Sequence, residues 1–86
     1  TIAEDAANKD ALLLRGEARL EVNDFEGAVK DFTAAIALDD QVANAFTRRG
    51  AAYRKLNRDS EALSDFEKAI QLQPSIELYA ERALLY

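Results

Sequence analysis

Apolar side chains return along this chain at intervals of three and four residues. Phe25, Ala28, Val29, Phe32, Ala35 and Ile36 form one series, Phe46, Gly50 and Tyr53 a second, and Ala62, Leu63, Phe66, Ala69 and Ile70 a third. That spacing lays each series along one face of an α-helix, and no segment alternates as a strand would. The series are interrupted at Val22-Asn23-Asp24, Leu38-Asp39-Asp40, Leu56-Asn57-Arg58 and Gln73-Pro74-Ser75, where residues that cap or turn a chain cluster. The pattern predicts an all-α chain of five helices, over 9–22, 25–38, 43–56, 59–73 and 75–86.

The helices repeat in pairs. Residues 9–42 laid on 43–76 give eleven identities, where this composition gives about three by chance. They are Ala11/Ala45, Arg15/Arg49, Gly16/Gly50, Ala18/Ala52, Asn23/Asn57, Ala28/Ala62, Asp31/Asp65, Phe32/Phe66, Ala35/Ala69, Ile36/Ile70 and Leu38/Leu72. A unit of thirty-four residues is therefore a helix hairpin, and the chain reads as one domain, 1–86, holding a repeat at 9–42, a second at 43–76 and the start of a third at 75–86. In that third unit Tyr79, Arg82, Ala83 and Tyr86 reproduce Phe46, Arg49, Gly50 and Tyr53 at a spacing of thirty-three. Upstream, Ile2 stands thirty-four residues before Ile36, so 1–8 either echoes an earlier second helix or extends the first helix backwards; the extension is the expected arrangement.

A hairpin of this length and pattern resembles the tetratricopeptide repeat (TPR) family. Leu12, Gly16 and Arg19, then Phe46, Gly50 and Tyr53, then Tyr79, Ala83 and Tyr86 stand where that family places a large apolar residue, a small residue and an aromatic on its first helix. Ala28, Phe32, Ala35 and Asp40, then Ala62, Phe66, Ala69 and Pro74, answer to the second helix and its end. Two positions depart. Arg19 replaces an aromatic and Asp59 stands where Phe25 stands in the first unit, and each substitution is expected to loosen packing. The resemblance implies a right-handed α-solenoid of antiparallel hairpins whose first helices line a concave groove for a peptide or partner segment.

Carried over by position, that groove comprises Asp10, Leu13, Glu17, Leu20 and Glu21, then Asn44, Thr47, Arg48, Ala51, Arg54 and Lys55, then Glu77, Ala80, Glu81 and Leu84. Leu13, Leu20 and Leu84 suit a partner contact, and equally the packing of a neighbouring element. The family's clamp for chaperone carboxylate tails uses Lys, Asn and Arg at positions that here read Leu13, Glu17, Arg48, Glu77 and Glu81, so only Arg48 could serve and a clamp of that type is not expected. Arg15 and Arg49 lie sixteen residues before Asp31 and Asp65, and with Gly16 and Gly50 they are expected to be structural: an Arg and an Asp meeting across a helix pair, beside a close approach of backbones.

Charge changes the picture in one respect. Eleven basic and sixteen acidic residues give a net charge of −5, the wrong sign for holding nucleic acid through phosphates. Within that balance Arg48, Arg49, Arg54, Lys55 and Arg58 follow one another without an acid, so a partner is expected to be a protein or peptide carrying acidic or carboxylate groups, unless Arg48 and Arg54 pair with Glu17, Glu21, Glu77 or Glu81 on neighbouring helices.

Cys and His are absent, which removes disulfides, thiolate and imidazole metal sites, cysteine nucleophiles and the usual general base; no cofactor, metal or catalytic role is expected. Asn23, Asp24, Glu26 and Gly27 do not make a calcium loop, because Val22 and Thr33 would fill its first and last ligand positions. Ser64 and Lys68, one turn apart, have no oxyanion partner. The longest apolar run, Ala34 to Leu38, is far short of a membrane span, and no targeting segment is evident, which reads as a soluble cytoplasmic interaction module or scaffold part. The alternative is a structural element that associates with itself through 75–86, where Ile76, Leu78, Leu84 and Leu85 leave little polar surface.

Overall fold

The computed structural model describes residues 2–73. They form four helices: α1, Ile2–Glu21; α2, Phe25–Leu38; α3, Ala43–Lys55; and α4, Asp59–Leu72. The predicted fifth helix, over 75–86, and with it Glu77, Ala80, Glu81 and Leu84 lie outside the described residues. α1 runs unbroken from Ile2, so residues 2–8 extend the first helix and do not form the end of an earlier one.

Each hairpin turns on the same device. Asn23 and Asn57 adopt φ of 64° and 63°, the left-handed conformation that asparagine tolerates better than most side chains. In the first turn Asp24 N donates to Arg19 O (2.7 Å) and Asn23 N to Leu20 O (3.1 Å); in the second Arg58 N donates to Tyr53 O (2.8 Å) and Asn57 N to Arg54 O (3.0 Å). These paired bonds satisfy the last carbonyls of α1 and α3 and set the entry of the next helix. The following residue separates the two turns. Asp24 caps α2, its side chain accepting from Gly27 N at 3.1 Å, whereas Arg58 gives α4 no side-chain cap. Arg58→Asp should therefore raise unfolding stability by about 1 kcal/mol, measured by urea denaturation.

The core is interleaved. Ala28 and Phe32 of α2 cluster with Ala52 of α3, backed by Leu13, Leu20, Phe25 and Val29. Phe46, Ala62, Phe66, Ala69 and Ile70 form the second cluster, against which Ile36 of α2, Tyr53 and Leu72 pack. The second hairpin thus lends Ala52 to the first, and the first lends Ile36 to the second.

Gly16 and Gly50 let the helices of each hairpin approach. A Cβ on Gly16 would lie 2.8 Å from Phe32 Cζ, and one on Gly50 would lie 2.9 Å from Phe66 Cε1. The rings occupy the space a side chain would need.

Candidate functional site

Within each hairpin the shared spacing of sixteen residues becomes a fork. Arg15 Nε and Nη2 donate to Asp31 Oδ2 and Oδ1 at 2.9 and 2.7 Å; Arg49 Nε and Nη2 donate to Asp65 Oδ2 and Oδ1 at 2.8 and 2.7 Å. Asp31 and Asp65 are buried, at 2% and 4% exposure, so each depends on its guanidinium for the partners that water would otherwise supply. The hydrogen bond to Asp31, then its charge, raises the Arg15 pKa. For Arg49 the bond to Asp65 outweighs burial and likewise raises it.

The two forks differ in their surroundings. Arg49 Cζ lies 5.6 Å from the Phe46 ring centroid and 5.7 Å from that of Tyr53. In the first hairpin Arg19 takes the place of Tyr53, and its Nε lies 3.4 Å from Asp31 and 3.9 Å from Asp24. The loose packing expected at Arg19 is thus replaced by an ion-pair arrangement in which one buried carboxylate serves two arginines. Nothing in the repeat pattern marks this arrangement, nor Thr33, whose Oγ1 accepts from Arg49 Nη1 at 3.2 Å and ties α3 to α2. Nor did the repeat mark Lys9, which reaches Asp39 at 3.0 Å.

Asp39 has a pH consequence. Its carboxylate accepts from Gln41 N and from Lys9 Nζ, and these bonds, the backbone one foremost, hold its pKa below the usual carboxylate value. Because the folded value is lowered, the bonds stabilise the fold above about pH 4 and are lost as pH falls through the lowered value. An NMR titration of the Asp39 side chain should show a midpoint under that of a free aspartate; a midpoint at or above it would contradict the assignment.

The predicted groove residues fall along α1 and α3. Leu13 and Leu20 are half-buried and pack against the cluster that contains Ala52, so they seal the seam between the two helices while keeping part of their surface outward. Across that seam Asn44 Nδ2 donates to Glu17 Oε1 (3.4 Å), Arg48 Nε donates to Asn44 Oδ1 (3.3 Å), and Arg48 lies 3.5 Å from Glu17 Oε1. Thr47 Oγ1 turns back onto Ala43 O, at 3.1 Å. Ala51 and Arg54 are half-buried and Lys55 is exposed. The run of five bases is thereby divided: Arg49 serves the core fork, Arg58 lies at the second turn and lines an open pocket with Asp24, Glu26 and Lys30, and Arg48, Arg54 and Lys55 stand on the stretch of α3 expected to face the groove, Arg48 against Glu17 and Arg54 also engaged within the chain. No helix among the described residues is long and apolar enough to cross a membrane, and no group of three acidic side chains among them could hold a metal ion.

Comparison with known proteins agrees with this architecture. The family described as "Tetratricopeptide repeat" matches residues 43–76. Hsp70-Hsp90 organizing protein 2 of Arabidopsis thaliana is 40% identical over 65 residues, 76% of this chain and 11% of that protein. Human Tetratricopeptide repeat protein 13 is 36% identical over 66 residues, 77% of this chain and 8% of its own. The chain therefore spans only a small part of the curated relatives it matches. Among solved structures, the second TPR domain of human RPAP3, in complex with the HSP70 peptide SGPTIEEVD, superposes with a TM-score of 0.87 at 38% identity, covering 98% of this chain and 71% of that one. The Arabidopsis OM64 TPR domain gives a TM-score of 0.88 at 33% identity, covering 93% and 67%. The chain belongs to the tetratricopeptide repeat family, and its fold is the right-handed α-solenoid of that family.

Proposed function

We propose that the chain is a protein-interaction module without enzymatic activity, and that its α1/α3 face holds a segment of a partner protein. The observation that carries this reading is the composition of that face: a seam of half-buried Leu13, Leu20 and Ala51, bordered on α3 by Arg48, Arg54 and Lys55. An apolar strip with bases along one side suits a peptide whose acidic or carboxylate groups lie over α3 while its apolar side chains settle on the seam. The RPAP3 domain, solved with the HSP70 peptide SGPTIEEVD, supports a peptide as the kind of partner. Leu13 and Glu17 depart from the clamp residues for chaperone tails, so the ligand here is acidic without being held at its terminus in that way. The setting is the cytoplasm.

Glu17 is the internal competitor, since it already lies 3.5 Å from Arg48. Titration of the full chain with a pool of short fluorescent acidic peptides should give binding that weakens with salt. Combined Arg48→Glu and Arg54→Glu should reduce affinity by about tenfold or more, and Glu17→Gln, which releases Arg48, should strengthen it by about threefold. Affinity left intact by the double charge reversal would place the site elsewhere.

A further inference from the structure

Residues of the two hairpin turns, with the end of α1 and the start of α2, line one open pocket of about 600 Å³. Three bases face it, Arg19, Lys30 and Arg58, with two acids, Asp24 and Glu26. Its apolar part comes from Val29 and Leu56, both half-buried. The acids do not cancel the bases. Asp24 is occupied twice, since it caps α2 through Gly27 N at 3.1 Å and lies 3.9 Å from Arg19 Nε. Asp31, the other carboxylate near Arg19, at 3.4 Å, already takes the whole fork of Arg15. Any side chain on Gly27 would strike both Asp24 and Arg19, so the bare glycine leaves them the space they fill, and Arg19 forms an anchored wall. Lys30 and Arg58 are exposed, and among the described residues neither side chain makes an ion pair, although Glu26 stands one helical turn before Lys30. The pocket thus carries one positive charge in excess, in a chain whose net charge is −5.

We propose that this pocket docks an extended segment of a partner protein in which a carboxylate side chain bridges Arg58 and Lys30 while an apolar side chain two residues away rests on Val29 and Leu56. Charge selects the carboxylate: a local positive excess on an acidic molecule draws anionic groups to this place and away from the rest of the surface. The planar fork of Arg58 takes a carboxylate through two nitrogens, and the flexible Lys30 adds a point charge. Geometry selects the spacing, because side chains two apart in an extended segment project to one face, here the face turned to the pocket. Glu26 competes for Lys30 from within the chain and rejects a second acid beside the first. None of the predicted groove residues lines the pocket, so the site does not depend on the groove being used, and each can be occupied while the other is filled.

The test titrates the full chain with the peptide acetyl-Ser-Leu-Ser-Glu-Ser-amide and follows it by NMR. Saturable shifts are expected at Val29, Lys30, Leu56 and Arg58, with a dissociation constant of roughly millimolar order. A peptide with Gln in place of its Glu should bind about tenfold more weakly, and one with Ser in place of its Leu about fivefold more weakly. Arg58→Asp is the decisive variant. It supplies the cap that α4 lacks and is expected to stabilise the fold, so the loss of about tenfold or more expected for binding has no source in unfolding. Glu26→Gln should strengthen binding about threefold, and combined Arg48→Glu and Arg54→Glu should leave the shifts as they are, which keeps this site distinct from the groove. Any of four outcomes would overturn the proposal: no saturable shift at these residues, undiminished binding of either substituted peptide, undiminished binding by Arg58→Asp, or the same residues shifting with chain concentration alone, which would assign the pocket to a second copy.

Discussion

Asp65→Ala should lower unfolding stability by about 3 kcal/mol, several times the effect of removing a surface ion pair. The carboxylate is 4% exposed and takes both donors of the Arg49 fork at 2.8 and 2.7 Å. Removing it leaves a guanidinium only 17% exposed, held by Phe46 and Tyr53 in a place where water cannot replace what is lost. Asp31→Ala provides the comparison. Arg15 is 58% exposed and Arg19 35%, so both can turn into solvent, and the loss should be clearly smaller than for Asp65 despite the larger number of bereaved arginines. Urea denaturation of the two variants decides the matter; equal losses would show that exposure of the partner does not govern the cost.

Gly50 should prove the least replaceable residue of α3. Alanine there gains about 1 kcal/mol of helix propensity, but its Cβ would meet Phe66 Cε1 at 2.9 Å and Cδ1 at 3.1 Å. Phe66 is 1% exposed, so the ring has no open space into which to move, and overpacking of this kind costs about 1 to 3 kcal/mol. Gly50→Ala is expected to be destabilising by about 1 kcal/mol net, and Gly50→Leu by more than about 3 kcal/mol, with loss of the folded state at physiological temperature. Adding Phe66→Leu to Gly50→Ala should recover part of the loss, because it shortens the group that the new methyl strikes. A Gly50→Leu chain with an unchanged thermal midpoint would show that α3 and α4 can part without penalty.

The hairpins were legible because their signals are local and occur twice. Asn23 and Asn57 mark the turns, Gly16 and Gly50 mark the close approaches, and Phe32 and Phe66 mark the rings that fill them, each pair at one fixed offset. The α1 start was harder to place: nothing between Ile2 and Lys9 stops a helix, and a repeat period says where a unit begins without saying that the helix stops there. The Arg19 arrangement has no signal in the sequence because it replaces the repeat's own residue; comparison with Tyr53 identifies only a missing aromatic. Whether an arginine there leaves a gap or reaches a buried carboxylate depends on the direction of a long side chain, which spacing does not encode. The groove is legible by position alone. Leu13 and Leu20 follow the helical period whether they seal a seam or meet a ligand, and the contacts show that part of each does the former. Glu17 and Arg48, thirty-one residues apart, fall outside the period that links the two units; what suggests their pairing is an acid on α1 facing the run of bases on α3, and the 3.5 Å ion pair bears out that alternative.

The exchange of Ala52 and Ile36 between the two clusters has a consequence for cooperativity. In a stacked array the stability of each unit is divided between its own contacts and those with its neighbour, and here each hairpin completes its apolar cluster with a side chain supplied by the other. Neither half can open while its counterpart stays intact without exposing a surface that both require. The two hairpins should behave as a single foldon: amides in α2 and α3 should exchange hydrogen at a common rate set by global opening, and heat should produce one transition, not two.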